Sequence, residues 1–182
     1  MKQVPNVTFK LRTRNEATGE VEWAHPTTSD YFDNKRVVVF SLPGAFTPTC
    51  SNNQVPGFDM LHDQIVAEGV DEVYCIACND AFVMNAWAED LRVKNVKFIP
   101  DGSCEFTAGM SMVVRKDNLG FGARSWRYAM VVDDGVVERM FVEPGQEDDC
   151  GTDPYGETTP EKVLAYLQGA NGLTNPYLRI NR

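Results

Sequence analysis

Cys50 is the residue best placed for chemistry. It follows Ser41-Leu42-Pro43-Gly44-Ala45-Phe46-Thr47-Pro48-Thr49, and ahead of these stands Val37-Val38-Val39-Phe40. Three β-branched residues and an aromatic read as a buried strand. Pro43, Gly44 and Pro48 break the run into a tight loop. Thr49 is predicted to N-cap a helix that Cys50 opens. A sulfur at that point faces unpaired backbone N–H groups and the positive end of the helix dipole, which both favour a thiolate. A thiolate held this way is a reactive nucleophile. Free cysteines are more often inert core residues. The sequence of strand, Pro/Gly loop and helix start argues against that reading here.

An activated sulfur alone does not make the attack fast, because nucleophilicity falls as thiol pKa falls. Fixed donors must also stabilise the charge that develops as the sulfur attacks, in a largely dry pocket. Thr47 supplies a hydroxyl three positions before the sulfur. Pro43 has no N–H and offers apolar surface that shields the sulfur from water. An arginine, permanently cationic with five donors in a rigid fork, would complete the set.

The pattern Pro43-x-x-x-Thr47-x-x-Cys50 resembles the active-site motif of the peroxiredoxins, the thiol peroxidases. The longer string from Pro43 to Cys50 is similar to their five-type branch, as are Val55-Pro56-Gly57-Phe58, Asn79-Asp80-Ala81-Phe82-Val83-Met84 and Phe98-Ile99-Pro100-Asp101-Gly102. Leu119-Gly120-Phe121-Gly122 and Arg124-Ser125-Trp126-Arg127-Tyr128 continue the resemblance, which runs from about Val7 to Leu167. It is closest in character to the peroxidase half of bacterial peroxiredoxin–glutaredoxin fusions, with no glutaredoxin half expected to follow.

The resemblance implies a single-domain thioredoxin-like α/β fold. It also implies reduction of hydrogen peroxide and alkyl hydroperoxides without a cofactor. The family's arginine stands at the start of a strand, directly before an apolar or aromatic residue. Arg127 before Tyr128-Ala129-Met130-Val131-Val132 matches this better than Arg124. Many five-type members carry glycine where Thr49 stands, so Thr49 is a departure that narrows backbone access to substrate. Phe46, Thr49 and Phe121 are implied at the mouth of the substrate pocket or at a homodimer contact. Glutathione with glutaredoxin is the first reductant implied, thioredoxin the second. Cys150, shortly after Val142-Glu143-Pro144, is a candidate resolving cysteine by the same resemblance. Against this, the residues around it differ and its neighbouring carboxylates disfavour a thiolate. A one-cysteine cycle is therefore favoured, and a dispensable surface cysteine is the alternative for Cys150.

Cys75 and Cys78 form a C-x-x-C that invites a dithiol or half of a zinc site. Val73 to Cys78 reads as a strand, so an odd offset sends the two sulfurs to opposite faces. His25 and His62 stand isolated, and packing is the better reading. Cys104 is expected in a loop or at a helix start and is given no role. Gly120-Phe121-Gly122 lacks the full glycine fingerprint of a nucleotide loop. The acids around Cys150 lack EF-hand spacing, and no metal site is expected.

A chain of 182 residues, 43% hydrophobic and 24% charged, fits one domain with a real core. A net charge of −9 argues against nucleic acid and anionic membranes as partners. Five cysteines cannot all pair within the chain, and no leader or membrane-spanning segment is visible, so a cytoplasmic location is expected.

Strands are predicted within Val7–Trp23 around a turn at Asn15–Gly19, then at Val37–Phe40, Glu72–Ala77 and Asn95–Ile99. A hairpin, Arg127–Val132 with Val136–Val142, turns at Asp133-Asp134-Gly135. Helices are predicted at Ser29–Phe32, from Cys50 with a break at Pro56-Gly57, at Ala81–Leu91 with Phe82, Ala86 and Asp90 at helical spacing, and from Pro160 to about Gly169. This order gives a mixed sheet with helices on both faces. The domain is placed at 1–171, with a tail at 172–182.

Two other function classes fit less well. A thiol–disulfide oxidoreductase would use Cys75 and Cys78. A peroxide-sensing module would oxidise Cys50 once, without turnover.

Overall fold

The computed structural model describes residues 2–173. Its centre is a mixed five-stranded sheet. Strands β1 (Leu11–Arg14) and β2 (Val21–Ala24) form a separate antiparallel hairpin, followed by the short helix α1 (Thr28–Phe32). Strand β3 (Arg36–Ser41) occupies the middle of the main sheet. Val37 to Phe40 are wholly buried, as an apolar run covered on both faces requires.

After β3 come the Cys50 loop, helix α2 (Val55–Ala67), β4 (Glu72–Ala77), α3 (Ala81–Asp90) and β5 (Lys97–Pro100). Short elements follow: α4 (Glu105–Gly109), β6 (Val113–Arg115) and β7 (Ala123–Ser125). The hairpin of β8 (Tyr128–Asp133) and β9 (Val136–Val142) and the helix α5 (Pro160–Leu173) complete the described chain. The sheet order is β5-β4-β3-β8-β9; β3, β4 and β5 are parallel, and β8 runs antiparallel to both β3 and β9.

The period of two along each strand divides the interior into two cores. Val38, Phe40, Val73, Cys75, Ala129 and Val131 face α2, α3 and α5. Val37, Val39, Tyr74, Ile76, Met130 and Val132 face α1, α4 and the N-terminal segment. Phe40 stacks on Phe58 of α2 with ring centroids 4.1 Å apart, which fixes α2 against the middle of the sheet. This is a thioredoxin-like α/β fold. No helix among the described residues is long and apolar enough to cross a membrane.

Several boundaries depart from the sequence reading. Helix α2 runs unbroken through Pro56 and Gly57. The disturbance lies one turn earlier, where Cys50–Gln54 form a wide π turn and the Val55 N–H reaches back to the Cys50 carbonyl. A proline ring clashes with the carbonyl four residues before it, so the widening belongs ahead of Pro56. In α3 the buried residues are Ala81, Met84 and Trp87, whereas Phe82 is exposed. Helix α5 continues past Gly169 to Leu173, across the boundary drawn at residue 171. The rest of the predicted tail lies outside the described residues.

Candidate active site

Cys50 is fully buried in the turn that leads into α2, in the core that α2 shares with β3 and β8. Pro48 and Thr49 are already helical, so Thr49 is not the N-cap, and its side chain caps nothing. The first helical bond runs from the Ser51 N–H to the Thr47 carbonyl at 3.0 Å. Thr47 therefore takes the cap position and Pro48 the first helical position, which needs no N–H. Cys50 still lies in the first turn, two residues later than predicted.

The loop from β3 is held from outside. Asn79 Oδ1 accepts from the Ala45 N–H at 2.9 Å, and Arg124 Nη1 donates to the Pro43 carbonyl at 3.1 Å. Gly44 sits at φ +155, where a side chain is strained, and a Cβ there would also have to displace the Arg124 guanidinium. Phe46 sits at φ +62 and is exposed, its ring 6.5 Å from that of Trp87. The Thr47 hydroxyl donates to the Gly44 carbonyl at 2.7 Å. With its proton committed, Thr47 faces any bound ligand as an acceptor.

Arg127, 1% exposed, comes from the residue directly before β8. Its Nη1 donates to Cys50 Sγ at 3.6 Å and also to Gln54 Oε1. Its Nη2 pairs with Asp153 Oδ1 at 2.6 Å, its Nε donates to the Pro154 carbonyl at 3.1 Å, and its guanidinium lies 5.5 Å from the Tyr155 ring centre. Burial alone would lower the Arg127 pKa. The charges of Cys50 and Asp153 more than offset this and hold it above its ordinary value. Burial also pushes the Tyr155 phenol up to about 12. Arg127 thus meets Cys50, while Pro43 and Thr47 belong to the loop that leads into the Cys50 turn. Arg124 braces the loop through the Pro43 carbonyl and stacks on Phe121 instead, its guanidinium 5.1 Å from that ring.

Gln54, Asp153 and Tyr155 escaped the sequence reading. Gln54 is fully buried with its Nε2 unpartnered among the described residues. Its place one turn after Cys50 was visible, but its partner lies 73 residues away. Asp153 and Tyr155 belong to the segment after β9, which Glu143 ties down. Glu143 Oε1 accepts from the backbone N–H groups of Gly156, Glu157 and Thr158 and from the Thr158 hydroxyl, all within 2.8–2.9 Å. Glu143→Ala is expected to destabilise the fold by about 3 kcal/mol, since several buried donors lose their acceptor. Chemical denaturation measures this. A change within a few tenths would show that the strap is not held by Glu143.

The other cysteines stand apart from the Arg127 donor. Cys75 faces the same core as Cys50, and burial, with the charge of Cys50 added, pushes its thiol well above the ordinary value. Cys78, just past the end of β4, lies beside Thr107. Cys150 is half-buried against the core opposite Cys50. Its turn is pinned by Asp148 Oδ1 accepting from the Arg115 N–H at 2.7 Å and by the Asp149 N–H donating to the Arg115 carbonyl at 2.8 Å.

A buried sulfur beside a buried cationic fork can take a small, uncharged, polar molecule. The sulfur attacks one oxygen while the guanidinium stabilises charge developing on the other. Comparisons with known proteins agree with that chemistry. The Redoxin family pattern matches residues 2–154. A peroxiredoxin of Rhizobium etli is 55% identical over 170 residues, spanning 92% of this chain and 95% of its own. Hybrid peroxiredoxin hyPrx5 of Haemophilus influenzae is 49% identical over 166 residues, spanning 91% of this chain and 65% of its own. The crystal structure of the Plasmodium falciparum antioxidant protein, described as a 1-Cys peroxiredoxin, superposes with a TM-score of 0.87 at 34% identity, over 92% of this chain and 98% of that one.

Proposed function

The chain belongs to the Redoxin family and is a peroxiredoxin, a thiol peroxidase that reduces peroxides through a catalytic cysteine, and we propose that this cysteine is Cys50. The observation that carries the assignment is the Arg127 Nη1 contact with a fully buried Cys50 sulfur in a helix's first turn. Thr47 accepts the peroxide hydrogen and orients the O–O bond. Arg127 stabilises the departing oxygen, and Pro43 keeps water away. The Cys50 sulfur takes one oxygen to become a sulfenic acid, and the other leaves as water or alcohol. Gln54 holds Arg127 from within and keeps a buried N–H free for a peroxide oxygen.

Within the family we place the chain in the five-type branch, near the peroxidase half of the fusion proteins. What supports this is the similarity to a hybrid peroxiredoxin over only 65% of that protein's length. A thiol reductant restores the enzyme; glutathione with glutaredoxin is the first choice, thioredoxin the second. The exposed Phe46 and Leu119, beside the Cys50 loop and beside Phe121, support a homodimer in which Phe46, Thr49 and Phe121 border the substrate entrance. A cytoplasmic location suits a thiol cycle of this kind.

The cycle uses one cysteine of the chain. Cys50 and Cys150 pack into different cores, and the Cys150 turn is anchored to Arg115, so a Cys50–Cys150 disulfide would require the turn to detach. Cys150→Ser is therefore expected to turn over peroxide at a near-normal rate with glutathione and glutaredoxin. Intact mass of the peroxide-treated enzyme should show a sulfenic acid or a glutathione adduct. Stalling of Cys150→Ser after one turnover, with Cys75→Ser and Cys104→Ser unaffected, would make Cys150 the resolving residue.

A further inference from the structure

The chemistry given to Cys50, Thr47 and Arg127 leaves no task for Asn79, which opens the block Asn79-Asp80-Ala81-Phe82. Asn79 stands between the end of β4 and the start of α3. Asp80 caps that helix, its Oδ1 accepting from the Phe82 and Val83 N–H groups at 2.8 and 3.0 Å, so Asn79 is carried between two fixed elements. Its side chain reaches across to the Cys50 loop, where Oδ1 accepts from the Ala45 N–H at 2.9 Å.

That N–H shares one planar trans peptide with the Gly44 carbonyl, so the two groups point in opposite directions. The carbonyl accepts from the Thr47 hydroxyl at 2.7 Å. One rigid peptide therefore joins Asn79 Oδ1 to the Thr47 hydroxyl. A carbonyl oxygen only accepts, so this contact commits the Thr47 proton and leaves the hydroxyl's lone pairs for a ligand. Glycine does little to fix the peptide from its own side, because its backbone rotates with the least hindrance of any residue. Arg124 Nη1 holds the preceding peptide, through the Pro43 carbonyl at 3.1 Å. The Gly44–Ala45 peptide is held at its N–H by Asn79.

We propose that Asn79 is a positioning residue for peroxide reduction, which sets the Gly44–Ala45 peptide so that Thr47 meets peroxide as an acceptor. If that peptide turned, the Gly44 carbonyl would leave Thr47, and the hydroxyl would present its own proton to the peroxide hydrogen that it has to receive. Asn79 acts through the peptide and not on the reacting atoms. The proposal rests on the reading of Thr47 as the acceptor for peroxide, and it names what keeps Thr47 in that role.

The test measures two second-order rate constants at Cys50, with hydrogen peroxide by stopped flow and with iodoacetamide by peptide mass, in Asn79→Ala, Thr47→Val and the double variant. Alkylation needs the thiolate but no acceptor for a peroxide hydrogen, so it reports the sulfur and the integrity of its loop. Thr47→Val should slow peroxide oxidation on the order of 100-fold. Asn79→Ala should slow it about 10-fold, as a displaced reacting group does. Alkylation of Cys50 should stay within about twofold in both, and adding Asn79→Ala to Thr47→Val should cost no more than about twofold further, since the hydroxyl it acts through is gone. A full peroxide rate in Asn79→Ala, losses that multiply in the double variant, or an alkylation rate that changes as much as the peroxide rate would each overturn the proposal, the last by making Asn79 only a brace of the loop. With Thr47→Val slow, any of these leaves the role of Thr47 standing. A full rate in Thr47→Val would overturn that role and the proposal together.

Discussion

Cys50→Ser is expected to reduce peroxide no faster than the uncatalysed reaction. Single serine substitutions at Cys75, Cys78, Cys104 and Cys150 should leave most of the turnover intact. The reason lies in what surrounds each sulfur. Cys50 alone sits in the first turn of a helix with a guanidinium donating to it. Cys75 shares its core, but burial holds that thiol protonated, and it lies in mid-strand with no helix start beneath it. Cys78 is likewise held protonated by burial. Cys104 has a backbone carbonyl near its sulfur, and Cys150 has the Thr152 hydroxyl at 3.5 Å; neither partner stabilises charge as an arginine does. Steady-state peroxide consumption by all five variants, with circular dichroism to show that each folds, makes the comparison. Full activity in Cys50→Ser would send the search to another thiol. Slow, stoichiometric oxidation of the unsubstituted protein without turnover would point to a sensor instead.

The parts of this site that were legible in the sequence are those written locally. An all-apolar stretch at Val37–Phe40 ended by Pro43 and Gly44 has few outcomes other than a central strand leading into a loop. Cys75 and Cys78 do part, Cys75 into the Cys50 core and Cys78 beside Thr107, although β4 ends at Ala77 and Cys78 stands just past it. Helical periodicity is looser: Phe82, Ala86 and Asp90 do share a face, but it is the exposed one, and the buried stripe is Ala81, Met84 and Trp87. Pro56 was rightly seen as a disturbance, yet its clash acts one turn back, so its effect surfaced as the π turn that contains Cys50.

What could not be read were partnerships across long separations. Gln54 with Arg127 and Asp153 with Arg127 are joined by sheet order and loop paths. No local pattern encodes them. Glu143 looked like one more acid in the stretch around Cys150. Its burial under four donors shows that the loop is fastened, which changes the reading of everything after it.

That fastening bears directly on Arg127→Met, for which peroxide oxidation of Cys50 is expected to slow by on the order of 100-fold or more. A factor of 100 is about 2.7 kcal/mol of transition-state stabilisation, reasonable for one preorganised donor in a buried site. Methionine keeps the length and apolar stem of the side chain but offers the leaving oxygen nothing. It also deprives Gln54 and Asp153 of their partner, so part of any loss could come from a loosened strap rather than from missing charge. Asp153→Asn separates the two causes. It weakens the anchor at Arg127 Nη2 while leaving the guanidinium against Cys50 and Gln54. Since Asp153 is about half exposed, water replaces part of what it supplied, and the rate in Asp153→Asn should fall far less than in Arg127→Met. Stopped-flow measurement of the second-order rate constant for Cys50 oxidation gives the comparison, with thermal unfolding of both variants recorded beside it. If Asp153→Asn is as slow as Arg127→Met, Arg127 acts by holding the strap. If Arg127→Met keeps the full rate constant, the donor must be sought at Arg124, whose guanidinium already reaches the Pro43 carbonyl.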